Sequence, residues 1–206
     1  MARTAKSLMA SHRPSNLIIF VQFAGLMAVV ALAVLTAGTA DWDFALFGIL
    51  LAFSIFSDLT AITTTSKVRL SGSFLPIVLA TVLLGGPPAA VIGVVTISIG
   101  WLGDRNAPHF LLHNIFPYAT FPLVAGLAFH ATVKSGSIVD TDPAFFALVF
   151  AAFLLALAIN FTMIASYACY LDRSSFFAKV RTALIPLLPS ELAAALMTVG
   201  VAYLYV

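Results

Sequence analysis

The sequence predicts an all-α integral membrane bundle of about seven transmembrane helices, and three observations predict it. Hydrophobic residues make up 62% of the 206-residue chain and charged residues only 9%. Mean hydropathy is +1.09, whereas roughly a quarter of the residues of a soluble domain are charged. The apolar residues also come in continuous runs rather than in the alternating ~10-residue segments of a membrane β-barrel.

A span needs about 20 apolar residues, with ~17 as the lower limit. That criterion places helices at 17–37, 44–62, 70–86, 88–102, 110–133, 144–170 and 183–206, after a basic tail at 1–16. The tail resembles the start of a signal peptide, but the run after it is long enough to be kept as a first span. No repeat or linker divides residues 17–206, so they form one polytopic domain.

Lysine and arginine gather on the cytoplasmic side of membrane proteins. Arg3, Lys6, Arg13, Lys67, Arg69, Arg105, Arg173, Lys179 and Arg181 fall on one side of this arrangement, and only Lys134 on the other. Asp41, Asp43, Asp140 and Asp142 occupy the opposite loops. The N-terminus is therefore expected inside the cell. A single helix from 74 to 101 would separate Lys67 from Arg105, so the charges require a hairpin at "LLGGPPAAVIG", residues 83–93. Gly85 or Gly86 can close one helix in the left-handed conformation. Pro87 and Pro88 then open the next, where Pro88 has no N–H partner to lose. A simple turn facing outward is preferred here to a binding tip.

Several chemistries are excluded by residue content. A net charge of +2 gives no reason to expect a nucleic-acid partner. The single Cys169 rules out an internal disulfide and a cysteine metal cluster, and no nucleophile or zinc-protease motif occurs. The last helix carries no lysine for a Schiff base. No catalytic residue, metal or cofactor is expected.

Polar residues inside spans are costly and are functional candidates for that reason. They are Asp58, His113, Asn114, Asn160 and Glu191, all at midplane or in the cytoplasmic half. They could line a cavity that opens inward, or serve as interhelical glue at about 1 kcal/mol each. His109 and His113 share a helix face, yet the spacing alone fits interfacial histidines at a helix start. Trp42, Trp101, Tyr167, Tyr170, Tyr203 and Tyr205 lie near span ends as an interfacial belt. Pro117 and Pro122 interrupt the fifth helix, and Pro186 and Pro189 the seventh, where a kink coincides with Glu191.

The stretches "KVRLSGSFLPIVLATVLLGGPPAAVIGVV" (67–95), "LLHNIFPYATFPLVAGLAF" (111–129), "LAINFTMIASYACYLDRSSF" (157–176) and "LLPSELAAALMTVGVAYLY" carry a resemblance over roughly two-thirds of the chain. The first resembles the substrate-binding S components of energy-coupling-factor vitamin transporters. All four resemble the membrane input region that precedes HD-GYP or GGDEF domains in bacterial cyclic-di-GMP signalling proteins, where Asn160 matches a recurrent Asn. The resemblance implies an S-component-like core with an extra N-terminal helix, in the bacterial inner membrane. It also implies a sensor and anchor that could bind a small ligand and pair as a homodimer, with a further span and output domain expected after residue 206. The alternative is a vitamin-uptake S component, with Ala24 and Ala28 offering a small-residue face to a coupling protein. Lys67 and Arg69 argue against it, because they lie in a loop expected outside in a transporter.

Overall fold

The computed structural model describes residues 15–40, 42–63, 69–70, 72–104, 108–136 and 138–205. Arg3, Lys6, Arg13, Asp41, Lys67, Arg105 and the side chain of His109 lie outside what is described. The chain is all-helical apart from a two-residue antiparallel pairing, Ile62 with Leu70 and Thr63 with Arg69. The helices are α1 (Asn16–Thr36), α2 (Phe44–Leu59), α3 (Phe74–Leu83), α4 (Gly86–Asp104), α5 (Pro108–Gly136), α6 (Pro143–Asp172) and α7 (Phe176–Tyr205). Of these, α1, α4, α5, α6 and α7 are long and apolar enough to cross a membrane. Their outward faces are apolar, and Leu17, Phe20, Leu35 and Leu204 are all exposed. So continuous an apolar surface is stable against hydrocarbon and not against water.

Local chemistry fixes most of the ends. Ser15 caps α1 by accepting from the Ile18 N–H, and the Asp43 carboxylate caps α2 by accepting from Ala45 and Leu46 at 2.9 and 3.0 Å. Pro143 opens α6 where it has no donor to lose, and Arg173 closes it with φ 50°. In α7 a π-helical turn, Val180–Leu184, directly precedes Pro186 and Pro189. These prolines cannot donate to the preceding turn, and the wider coil sits where that ladder is broken.

The third helix differs from expectation. It covers 74–83 rather than 70–86, because Gly72 and Ser73 before Phe74 form a turn and Pro76 falls in the first helical turn. Ten residues rise about 15 Å, half of the ~30 Å hydrocarbon thickness. Its first residue, Phe74, packs on Phe121 and Phe153, with ring centroids 4.9 and 5.1 Å apart. Both partners stand near the middle of α5 and α6, and both are fully buried. Thr81, near the other end, receives His130 of α5 on its carbonyl. Thus α3 climbs alongside α5 from mid-depth to one end of the bundle.

At that end the chain turns back through Gly85, whose φ of +99° is the left-handed conformation expected of a glycine closure. Its N–H, like that of Leu84, bonds to Ala80 O. The turn is not an exposed tip, since residues 84–90 are all buried. A Cβ on Gly85 would touch Ala40 and His130.

From there α4 runs back antiparallel to α5 at backbone contact. A Cβ on Gly126 would stand 2.5 Å from Gly86 N, and one on Gly86 would stand 2.6 Å from Leu123 O. A Cβ on Gly93 would overlap the Tyr118 carbonyl oxygen. Pro122, four residues after Tyr118, has no N–H to offer that carbonyl.

Gly126→Ala is expected to lower thermal stability in detergent by about 1–3 kcal/mol through overpacking against backbone that has nowhere to move. Gly48→Ala, whose Cβ would meet nothing within 4 Å in the middle of α2, should be neutral or gain about 0.5–1 kcal/mol. Equal effects from the two would refute a close α4–α5 seam.

Candidate functional site

Three helices bring one polar cluster together near the end of the bundle that carries Arg173, Lys179 and Arg181. Gln22 sits on α1, His113 on α5 and Tyr167 on α6. The Gln22 amide nitrogen lies 2.9 Å from His113 Nδ1. With that nitrogen donating, Nδ1 accepts and the ring proton sits on Nε2. The imidazole stacks on Tyr167 with centroids 3.7 Å apart and planes inclined by 22°. Both side chains are buried, His113 at 6% and Tyr167 at 7% exposure.

The cluster borders an open cavity of about 220 Å³, lined also by Ile18, Phe116, Pro117, Met163, Ser166 and Tyr170. Pro117 lies in its wall. It stands four residues after His113 and has no N–H, so the His113 carbonyl loses its helical partner beside the cavity. The volume is below the ~300–1,000 Å³ of sites for drug-sized ligands. It suits a small polar molecule or a few waters, each occupying ~30 Å³.

The hydroxyl of Tyr167 is buried and, among the described residues, has no hydrogen-bond partner. So are Asn160 Oδ1 and Ser174 Oγ. The three residues are spaced by seven, and a seven-residue step returns to nearly the same side of a helix. Asn160 and Tyr167 therefore share one side of α6, and Ser174 lies just past its end, beyond the left-handed Arg173. Leaving such groups unpaired costs about 1–3 kcal/mol each, and an absent ligand, ion or water is the usual reason.

Of the residues singled out from sequence, His113 lines this cavity and Asn160 lies two turns from it on the same face of α6. Asp58 is brought elsewhere. It is buried on the face of α2 that also presents Leu50 and Ser54, and Ser54 Oγ accepts from Thr96 Oγ1 of α4 at 2.9 Å. Asn114 is half-buried on α5 and Glu191 half-buried on α7, and neither borders the cavity. Gly85, Gly86, Pro87 and Pro88 are packing elements of the α3–α4 turn. Pro186 and Pro189 lie in exposed positions on α7.

Two members of the site are not among the sequence-based candidates. Gln22 meets the same criterion as Asn160, a polar side chain inside an apolar span, and was visible on that ground. Tyr167 fits the interfacial belt, and only its burial against His113 sets it apart. Among the described residues no group of three His, Cys, Asp or Glu side chains is placed to hold a metal ion.

No protein-family model matches the chain, and no curated protein matches it significantly. Among the described residues the fold is helical apart from one short strand pair, and its five helices long and apolar enough to span are compatible with a multi-pass membrane protein.

In a double-mutant cycle, Gln22→Ala and His113→Ala should show a coupling of about 0.5–1.5 kcal/mol in thermal stability. Additive losses would mean that the contact across α1 and α5 carries no energy.

Proposed function

We propose that the chain is the membrane-embedded input and anchor domain of a bacterial signalling protein, with a small polar ligand acting at the Gln22–His113–Tyr167 cavity. The observation that carries this reading is the unpartnered hydroxyl of Tyr167, buried beside a histidine in a cavity with room for a molecule. A ligand that accepts from or donates to that hydroxyl would bind α1, α5 and α6 together, and so bias their relative packing. Asn160 and Ser174 extend polar surface along α6 on either side of it.

In this reading all seven helices form the membrane domain, with α3 crossing only half of the thickness. The N-terminus and the Arg173–Arg181 end face the cytoplasm of the inner membrane, in keeping with the bias of lysine and arginine. The cavity then lies toward the cytoplasm. The resemblance to input regions of cyclic-di-GMP signalling proteins supports an output inside the cell, reached through a homodimer. Ala24 and Ala28 are both exposed on α1 and are a feature that a vitamin-uptake S component would also use to meet its coupling subunit.

Tyr167→Phe separates a ligand site from interhelical glue. An unpaired hydroxyl contributes nothing to the empty bundle, so its removal should leave thermal stability unchanged or raise it by up to about 1–3 kcal/mol. Native mass spectrometry of the detergent-solubilised chain should show a small molecule bound to the wild type and its loss from Tyr167→Phe. A clear loss of stability on Tyr167→Phe, with no bound molecule in either form, would refute the sensor reading. A copurified vitamin together with a transporter coupling subunit would replace it with uptake.

A further inference from the structure

Helix α1 approaches α5 closely at Gly25, where a Cβ would stand 2.5 Å from the tip of the Phe116 ring. On the Arg173 side of that point, three residues earlier in each helix, lies the Gln22–His113 contact at 2.9 Å. On the other side α1 and α4 leave an open wedge of about 350 Å³ between them. The wedge is lined only by apolar residues, among them Val30 and Val34 of α1, Ala90 and Val94 of α4, and Trp42 at its mouth.

The dimensions of this wedge name its occupant. Its lining on α1 runs from Val29 to Ala37, a rise of about 12 Å, close to the ~15 Å hydrocarbon depth of one leaflet. It begins at mid-depth, beside Ala119 of α5, and opens at the end of the bundle where Pro87 and Trp42 stand. The Trp42 indole N–H is satisfied internally by the Ala37 carbonyl at 3.1 Å, so no donor is turned into the wedge. Tryptophan at such a mouth suits the level of lipid headgroups. A narrow, wholly apolar slot one leaflet deep fits a single hydrocarbon chain whose polar head stays at the mouth.

We propose that the wedge between α1 and α4 seats one acyl chain of a bilayer phospholipid, and that α1, pivoting on Gly25 against Phe116, reports its presence to the Gln22–His113 contact. With the chain seated, the outer half of α1 is held away from α4 and Gln22 is held against His113. With the chain withdrawn, the outer half closes onto α4 and Gln22 swings away from the imidazole. This deepens the sensor reading by naming lipid packing as an input to the same cavity. The two fail separately, because Tyr167→Phe tests the cavity and the wedge variants test the chain.

The experiment uses the full chain in nanodiscs of phosphatidylethanolamine and phosphatidylglycerol. Native mass spectrometry after release should find about one retained phospholipid per wild-type chain, and at least ~10-fold less in Ala90→Phe, whose phenyl ring occupies the wedge. Ala33→Phe, which fills it from α1, should act alike and guards against misfolding of one variant. The ¹⁵N resonances of the His113 ring, with Gln22→Ala as the reference for a broken contact, should move toward that reference when the wild type is delipidated. They should stay put in delipidated Ala90→Phe, where the ring replaces the chain. Retention of phospholipid by both filled variants would overturn the seat. Retention of a free fatty acid or a quinone in place of phospholipid would overturn its assignment. His113 resonances indifferent to delipidation would overturn the pivot.

Discussion

Backbone contact between α4 and α5 is the constraint on which the rest of the structure depends. Apolar burial does little to drive helices together in a bilayer, because lipid tails are as apolar as leucine, and close packing of small residues does more. Gly86, Gly93 and Gly126 supply that closeness. At Gly93 the Tyr118 carbonyl approaches a bare Cα, a geometry that allows a weak C–H···O contact. Once α4 is fixed on α5, the position of α3 follows. The turn at Gly85 folds it back beside α5, and its ten residues bring Phe74 to the mid-depth cluster with Phe121 and Phe153. The glycines and prolines of "LLGGPPAAVIG" are thus packing residues of a buried turn.

The same seam decides which face of α5 is left for α1. Held by glycine contacts on the α4 side, α5 turns His113 and Phe116 toward α1, and α1 has no buried residue of its own. It packs mainly along α5, where Gly25 lies under the Phe116 ring and the Gln22 amide meets the His113 imidazole. A helix so lightly attached costs little to move, as a switching element must. The densely packed side holds still while the lightly packed side can respond.

Much of this was legible in the sequence, and the remainder was hidden for physical reasons. Composition and the length of the apolar runs gave the helical membrane class and the placement of α1, α2, α4, α5, α6 and α7 to within a few residues at most ends. The start of α7 is an exception, seven residues earlier than expected, because a π-helical turn carries the coil past Arg181. The half-length of α3 was also legible, in Gly72 and Ser73 before Phe74 and in Pro76, but apolar content alone made the helix look longer. The cavity was harder to see. Periodicity shows that Asn160 and Tyr167 share a face of α6, but nothing local says that Gln22, 91 residues from His113, will meet it across two helices. Burial of Tyr167 is a tertiary fact, and a tyrosine near a span end reads as interfacial until the neighbouring helix is placed.

The polar residues inside the bundle fall into two groups, and the division is what sets the proposed site apart. On the side where α2, α3, α4 and α5 pack together, polar groups have partners: Thr96 donates to Ser54, His130 meets the Thr81 carbonyl, and buried Asp58 continues the Ser54 face and also has an interaction. These are the contacts expected of interhelical glue, and they coincide with the tightest packing. Along α6 and just past its end the opposite holds: among the described residues Asn160 Oδ1, the Tyr167 hydroxyl and Ser174 Oγ are buried without a partner. A bundle able to satisfy its polar groups on one side gains nothing by leaving three exceptions on the other, unless something else completes them. The acidic residues that drew attention in the sequence, Asp58 and Glu191, are therefore less informative than a neutral hydroxyl. Charge marks what is expensive to bury, whereas an unpaired partner marks what is missing.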